Sequence, residues 1–288
     1  MFNQKHCSPE NKSKVGSCLT IKMLRRVASV LNKYNGSKIK LSSKKKELQE
    51  DISKEIEKIS NCTSEVDWIK INIIKNELTD NEYNIFINRF RPEMPDEWKK
   101  NPNTWLSTND IDKVLQQYEN AYRNFEYMGA NPIDFDLKIG GQCVANDICN
   151  IDIRKLKKNN KTSLGMVFNT DTHNESGEHW FSMFIDLKGQ NIKGEPCIYY
   201  FDSLAKEPTE EIFNLVKRIT TQCKKINKDI HFLFNDIKHQ NGDTECGVYC
   251  LHFLVYMLKG GDFKKYITSK KSDKEMEKFR EIFFIKNP

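Results

Sequence analysis

Gln240-Asn241-Gly242-Asp243-Thr244-Glu245-Cys246-Gly247-Val248-Tyr249-Cys250-Leu251 is the stretch from which this chain is best read. From Cys246 the sequence turns apolar on nearly every side, through Val248, Tyr249, Leu251, Phe253, Leu254, Val255, Met257 and Leu258. A helix without a polar face belongs in the middle of a fold, so residues 246–258 are expected to form a central buried helix. Cys246 stands at its start. There the positive end of the helix dipole and the unpaired backbone N–H groups favour a thiolate.

Upstream lie four short β-branched or aromatic runs: Leu164–Phe168, Trp180–Leu187, Cys197–Phe201 and His231–Phe234. Their length, between turn signals, predicts strands of a largely buried sheet. An amphipathic helix is expected from about Thr209, with Ile212, Leu215, Ile219, Cys223 and Ile226 inward. Another starts at Ser107, with Asp110 at the capping-box position; Tyr118, Tyr122 and Phe125 continue its apolar face and Gly129 closes it. The last starts at Ser272, burying Met276, Phe279 and Phe283. Strands followed by helices around one central helix give an α+β body with a small mixed sheet.

Three polar residues sit at strand and loop ends where they can converge on Cys246. His179 opens the second strand, Asp202 follows the third, and Gln240 lies in the loop before the helix. An imidazole facing a thiol can act as base and later as acid. A carboxylate on its other nitrogen fixes the tautomer. The Gln240 amide, beside the Cys246 backbone N–H, can hold an oxyanion. Taken singly, each residue has a plainer reading: a helix cysteine as a small core group, Asp202 as a turn residue, Trp180 as a core aromatic. Spacing alone leaves both readings open.

Other chemistries lack their residues. No HExxH, GxSxG or glycine-rich phosphate loop occurs, and no CxxC pair. His252 lies about 240° round the helix from Cys246, which argues against a shared metal. No cofactor is implied. No apolar run reaches the roughly 18 residues of a membrane helix, and a soluble, unsecreted protein with nine free thiols in a reducing compartment is expected.

Charge divides the chain. Residues 1–46 hold twelve Lys or Arg against Glu10, a net of +11 in a chain of +6, so residues 47–288 carry −5. Residues 1–17 read as a mobile tail. Leu19 to Tyr34 reads as a helix stopped by Asn35-Gly36, and a second, charged helix follows. Residues 1–95 are therefore expected to form a basic helical arm, and residues 96–288 the body. The arm weakly resembles a SAP-type nucleic-acid-binding hairpin; a lysine-rich solvated arm is the plainer reading.

Taken together, His179-Trp180, Asp202 and Gln240-x5-Cys246-Gly247 resemble the signature of clan CE cysteine proteases, the group of the SUMO proteases and the adenovirus maturation protease. The order His, Asp, Gln, Cys is that of the clan. Trp105-Leu106 resembles the Trp-Leu pair that opens SUMO-protease domains. Within the clan the chain is most similar to the polyprotein-processing proteases of nucleocytoplasmic large DNA viruses, such as that of African swine fever virus. The resemblance implies a thiol endopeptidase cutting after Gly-Gly in viral structural polyproteins during virion maturation, located in host cytoplasm at assembly sites and in the virion. It also implies a narrow channel roofed by Trp180, through which only glycines thread. Two alternatives are a protease that removes ubiquitin-like modifiers and a non-enzymatic virion protein binding nucleic acid through residues 1–46.

Overall fold

The computed structural model describes residues 6–11, 16–34, 36–62 and 64–286. The chain forms two compact units, residues 1–92 and 93–288.

The first unit is helical. Ile21–Tyr34 and Lys45–Glu57 are its long helices, followed by the short helices Glu65–Lys70, Asn72–Lys75 and Asp80–Ile87. Leu24, Val27, Ala28 and Leu31 on the first helix, with Leu48, Ile52 and Ile56 on the second, are fully buried; these apolar stripes make the unit's core. Asn35, half of the expected helix stop, lies outside the described residues. The expected mobile tail is corrected where it is described: Cys7 and Cys18 form a disulfide, and Ser8 N–H donates to the Arg89 carbonyl at 2.8 Å. Cys7 and Ser8 are buried, so the segment is pinned by a covalent bond and by backbone pairing with Phe90. A second disulfide, Cys143–Cys149, corrects the expectation of nine free thiols; five cysteines are free.

The second unit is three-layered. Five strands, β1 Phe125–Asn131, β2 Ser163–Asn169, β3 Trp180–Asp186, β4 Cys197–Phe201 and β5 His231–Phe234, lie side by side in chain order. The outer pairs β1/β2 and β4/β5 are parallel; β2/β3 and β3/β4 are antiparallel. Every residue of β2, β3 and β4 is buried because both faces are covered. Leu164, Met166, Phe181, Met183, Ile198 and Tyr200 pack with Ile212, Leu215 and Ile219 of the Glu210–Lys224 helix. On the opposite face Phe201 stacks on Phe253 of the Cys246–Leu258 helix, ring centroids 5.0 Å apart. That helix is buried almost completely round, as its composition demands.

Strand β1 departs from expectation. The Ser107-capped helix, Thr108–Ala121, ends four residues before Phe125, and Gly129 lies inside the strand, not at a helix end. Tyr118, Tyr122 and Phe125 fit helical spacing, but Phe125 is fully buried in the sheet beside β2. Gly165, two residues on from its partner Ser163, leaves room for its ring: a Cβ there would stand 2.6 Å from Phe125 Cζ. Gly129, at φ +85°, sits where the β1/β2 register slips between Tyr127 and Ala130.

Candidate active site

Cys246 is the first residue of the central helix and is buried. The backbone leading to it is clamped. Glu245 and Arg280 form a two-pronged ion pair, with 3.1 Å from Nε to Oε2 and 2.9 Å from Nη2 to Oε1. Arg280 also donates to the carbonyls of Thr244 (3.1 Å) and Thr104 (2.8 Å), and its guanidinium stacks over the Trp98 ring. The planar fork of arginine suits this carboxylate, and each of its nitrogens has an acceptor.

His179 immediately precedes β3, its carbonyl accepting from Thr170 N–H at 2.9 Å. The ring is 6% exposed, and Nε2 lies 2.9 Å from Asp202 Oδ1. The Cys246 side chain also interacts with the imidazole. Burial by itself lowers the imidazole pKa, but the hydrogen bonds and charges of Asp202 and Cys246 outweigh it and push the value up to about 9. The imidazolium is thus the favoured form beside the sulfur at neutral pH.

Asp202 follows β4 and is itself held. Its Oδ1 also accepts from Leu204 N–H at 2.7 Å. Asn235, just after β5, accepts from Asp202 N–H at 2.9 Å and donates to the Asp202 carbonyl at 2.7 Å. Gln240 is buried at the foot of the loop before Cys246, with Nε2 donating to the Gly242 carbonyl at 2.9 Å and Oε1 accepting from Ser203 Oγ at 2.6 Å.

The structure therefore joins Cys246, His179 and Asp202 through His179, and it links Gln240 to Ser203, the neighbour of Asp202. Trp180 is 8% exposed and donates its indole N–H to the Leu106 carbonyl at 2.9 Å. Leu106 in turn packs on Gly247, where a Cβ would lie 3.0 Å from Leu106 Cβ. Trp105, next to it in sequence, is 41% exposed.

The other thiols and imidazoles are engaged differently. Burial pushes Cys197 up to about 12 and Cys250 well up, so both stay neutral thiols. Burial takes His252 down to about 3, and its Nδ1 meets the Tyr266 hydroxyl at 2.8 Å. Among the described residues no group of three His, Cys, Asp or Glu could hold a metal.

Sequence reading missed Ser203, Asn235 and the Glu245–Arg280 pair. A signal for the last existed: Arg280 falls four residues after Met276, on the face expected to be buried, where an arginine requires a carboxylate. Ser203 and Asn235 carry no such signal, since each is a small polar residue close after a strand.

Residues 154–287 match the Ulp1 protease family, C-terminal catalytic domain. The chain is 29% identical to a thiol protease of Acanthamoeba polyphaga mimivirus over 300 residues, covering 98% of this chain and 94% of that one. It is 28% identical over 197 residues to a cysteine protease of African swine fever virus (strain Badajoz 1971 Vero-adapted), covering 63% of this chain and 68% of the relative. The crystal structure of an African swine fever virus protease superposes with a TM-score of 0.71 at 22% identity, covering 100% of this chain and 98% of that one. This likeness establishes the shared fold.

Proposed function

We propose that this chain, a cysteine protease of the Ulp1 type, cuts after Gly-Gly in viral structural polyproteins during virion maturation. The observation that carries the reading is His179, buried between the Asp202 carboxylate and the Cys246 thiol. In the reaction the Cys246 sulfur attacks the carbonyl carbon of the second glycine. A C–S bond forms and the carbonyl π pair moves onto oxygen. Gln240 Nε2 and the Cys246 backbone N–H hold that oxyanion. Collapse breaks the C–N bond, and the leaving amine takes its proton from the His179 imidazolium. Water, deprotonated by His179, then hydrolyses the thioester and restores the starting pair.

Glycine selectivity is assigned here to a narrow channel roofed by Trp180, next to Gly247. Leu106 fills the space beside it, Trp180 is fastened to Leu106, and the exposed Trp105 adjoins it. A channel of that width would admit a substrate backbone only where it carries no Cβ. Purified protein incubated with a peptide library, with products read by mass spectrometry, tests this: cuts should cluster after Gly-Gly, and scattered cuts would refute the specificity.

Removal of ubiquitin-like modifiers is the second reading, favoured by the family matched over residues 154–287. Labelling of Cys246 by a modifier carrying a C-terminal vinyl group would support it. The net +11 of residues 1–46 further suits an anionic partner such as nucleic acid at assembly sites in host cytoplasm and in the virion. Binding to DNA that weakens steeply from low to physiological salt is the expected signature.

A further inference from the structure

We propose that Ser203 is a positioning residue whose hydroxyl fixes the side-chain amide of Gln240 in its oxyanion-donating orientation. The inference rests on the role given to Gln240 above and deepens it. Ser203 and Gln240 are each 1% exposed, so bulk water does not reach either group.

The orientation of the amide is determined from both ends. At one end Gln240 Nε2 lies 2.9 Å from the Gly242 carbonyl oxygen, an atom that only accepts. Rotating the amide by half a turn would set two acceptors against each other there. At the other end Gln240 Oε1 lies 2.6 Å from Ser203 Oγ, and an amide oxygen needs a donor, which the hydroxyl supplies. One N–H of Nε2 is spent on Gly242, which leaves the second as the donor this proposal assigns to the reacting carbonyl. Donation by Ser203 to Oε1 also polarises the amide, making its N–H the stronger donor.

The main chain of Ser203 works in the same direction. Its carbonyl accepts from His239 N–H at 2.8 Å and from Gln240 N–H at 2.9 Å, so one residue fastens both the backbone and the side chain of Gln240. Asp202 precedes it directly. A single dipeptide after β4 thereby orients the imidazole through its first member and the oxyanion donor through its second. Without the hydroxyl, Oε1 becomes a buried acceptor with no partner, and the amide escapes by turning out of line.

The test compares wild type, Ser203→Ala, Gln240→Ala and the double variant on a Gly-Gly-X peptide, alongside alkylation of Cys246 by iodoacetamide. Alkylation is displacement at a saturated carbon and forms no oxyanion, so it reports the reactivity of the sulfur alone. Ser203→Ala should lower kcat about tenfold, the worth of one neutral hydrogen bond, with KM nearly unchanged. Gln240→Ala should lower kcat by roughly 10²–10³. The double variant should be no slower than Gln240→Ala, because a positioning residue has nothing left to position. Alkylation should proceed at the wild-type rate in all four. Full turnover in Ser203→Ala, losses that multiply in the double variant, or alkylation slowed as much as turnover would each overturn the proposal. Should Ser203→Ala fail to fold, Ser203→Cys, close in size with a weaker donor, is read by the same criteria. A wild-type protein that cleaves nothing would overturn the underlying reading and this inference with it.

Discussion

Arg280 grips Glu245, the residue before Cys246, through two hydrogen bonds of 2.9 and 3.1 Å, with both side chains at most 4% exposed. The ion pair adjoins Cys246 in sequence and ties the Asp273–Phe283 helix to the start of the central one. Its position decides where the sulfur stands.

Breaking this pair from one side strands a buried charge. Arg280→Met is expected to cost about 3–5 kcal/mol of stability, whereas Arg280→Met with Glu245→Leu should cost markedly less. Urea unfolding of the two variants reads the difference directly.

The pH dependence follows from His179. Its pKa, raised from 6.5 to about 9, makes the imidazolium the favoured folded form. The stability this contributes is present in full below pH 6.5 and is lost as pH rises through about 9. Because the leaving amine needs that proton, kcat/KM should fall above about pH 9. In Asp202→Asn the largest raising influence is gone, so the falling limb should move to lower pH; a profile that stays in place would contradict the assignment.

Gly247 has a packing reason to lack a side chain. In Gly247→Ala the new methyl presses on Leu106, whose carbonyl anchors Trp180. About 1–3 kcal/mol of stability should be lost, with turnover falling about tenfold or more as Leu106 and the Trp180 it anchors shift. Thermal melts and peptide kinetics on the same preparation check both halves.

Phe125 and Gly165 make the corresponding test in the sheet. Gly165→Ala would place a methyl 2.6 Å from the Phe125 ring and should destabilise by about 1–3 kcal/mol. Gly165→Ala combined with Phe125→Leu should recover part of that loss, measured by denaturant midpoint.

These contacts also mark how far the sequence could be read. Strands β2 to β5 were legible because short β-branched and aromatic runs between turn signals have few other uses, and the Cys246 helix because apolarity all round allows only burial. The candidate constellation of His179, Asp202, Gln240 and Cys246 was proposed because four side chains of the right kinds fall at element ends in one order, and the structure pairs His179 with Asp202. Strand β1 was not: Tyr118, Tyr122 and Phe125 satisfy helical spacing, and only the parallel pairing of Phe125 with Ser163 decides for the sheet. Disulfide pairing was equally hidden, since Cys7 is placed by backbone pairing with Phe90 and Cys18 by its carbonyl accepting from the Arg89 side chain. Ser203 and Asn235 work through neighbours brought close by the fold, a relation that local pattern does not encode.

Turnover of a Gly-Gly-X peptide by Cys246→Ala bears most directly on the whole account. The wild-type chain should release the product ending in Gly-Gly, while Cys246→Ala should lose at least about 10⁴-fold in kcat and remain folded. Cleavage by Cys246→Ala at a rate near that of wild type would show that the sulfur beside His179 is not the attacking atom.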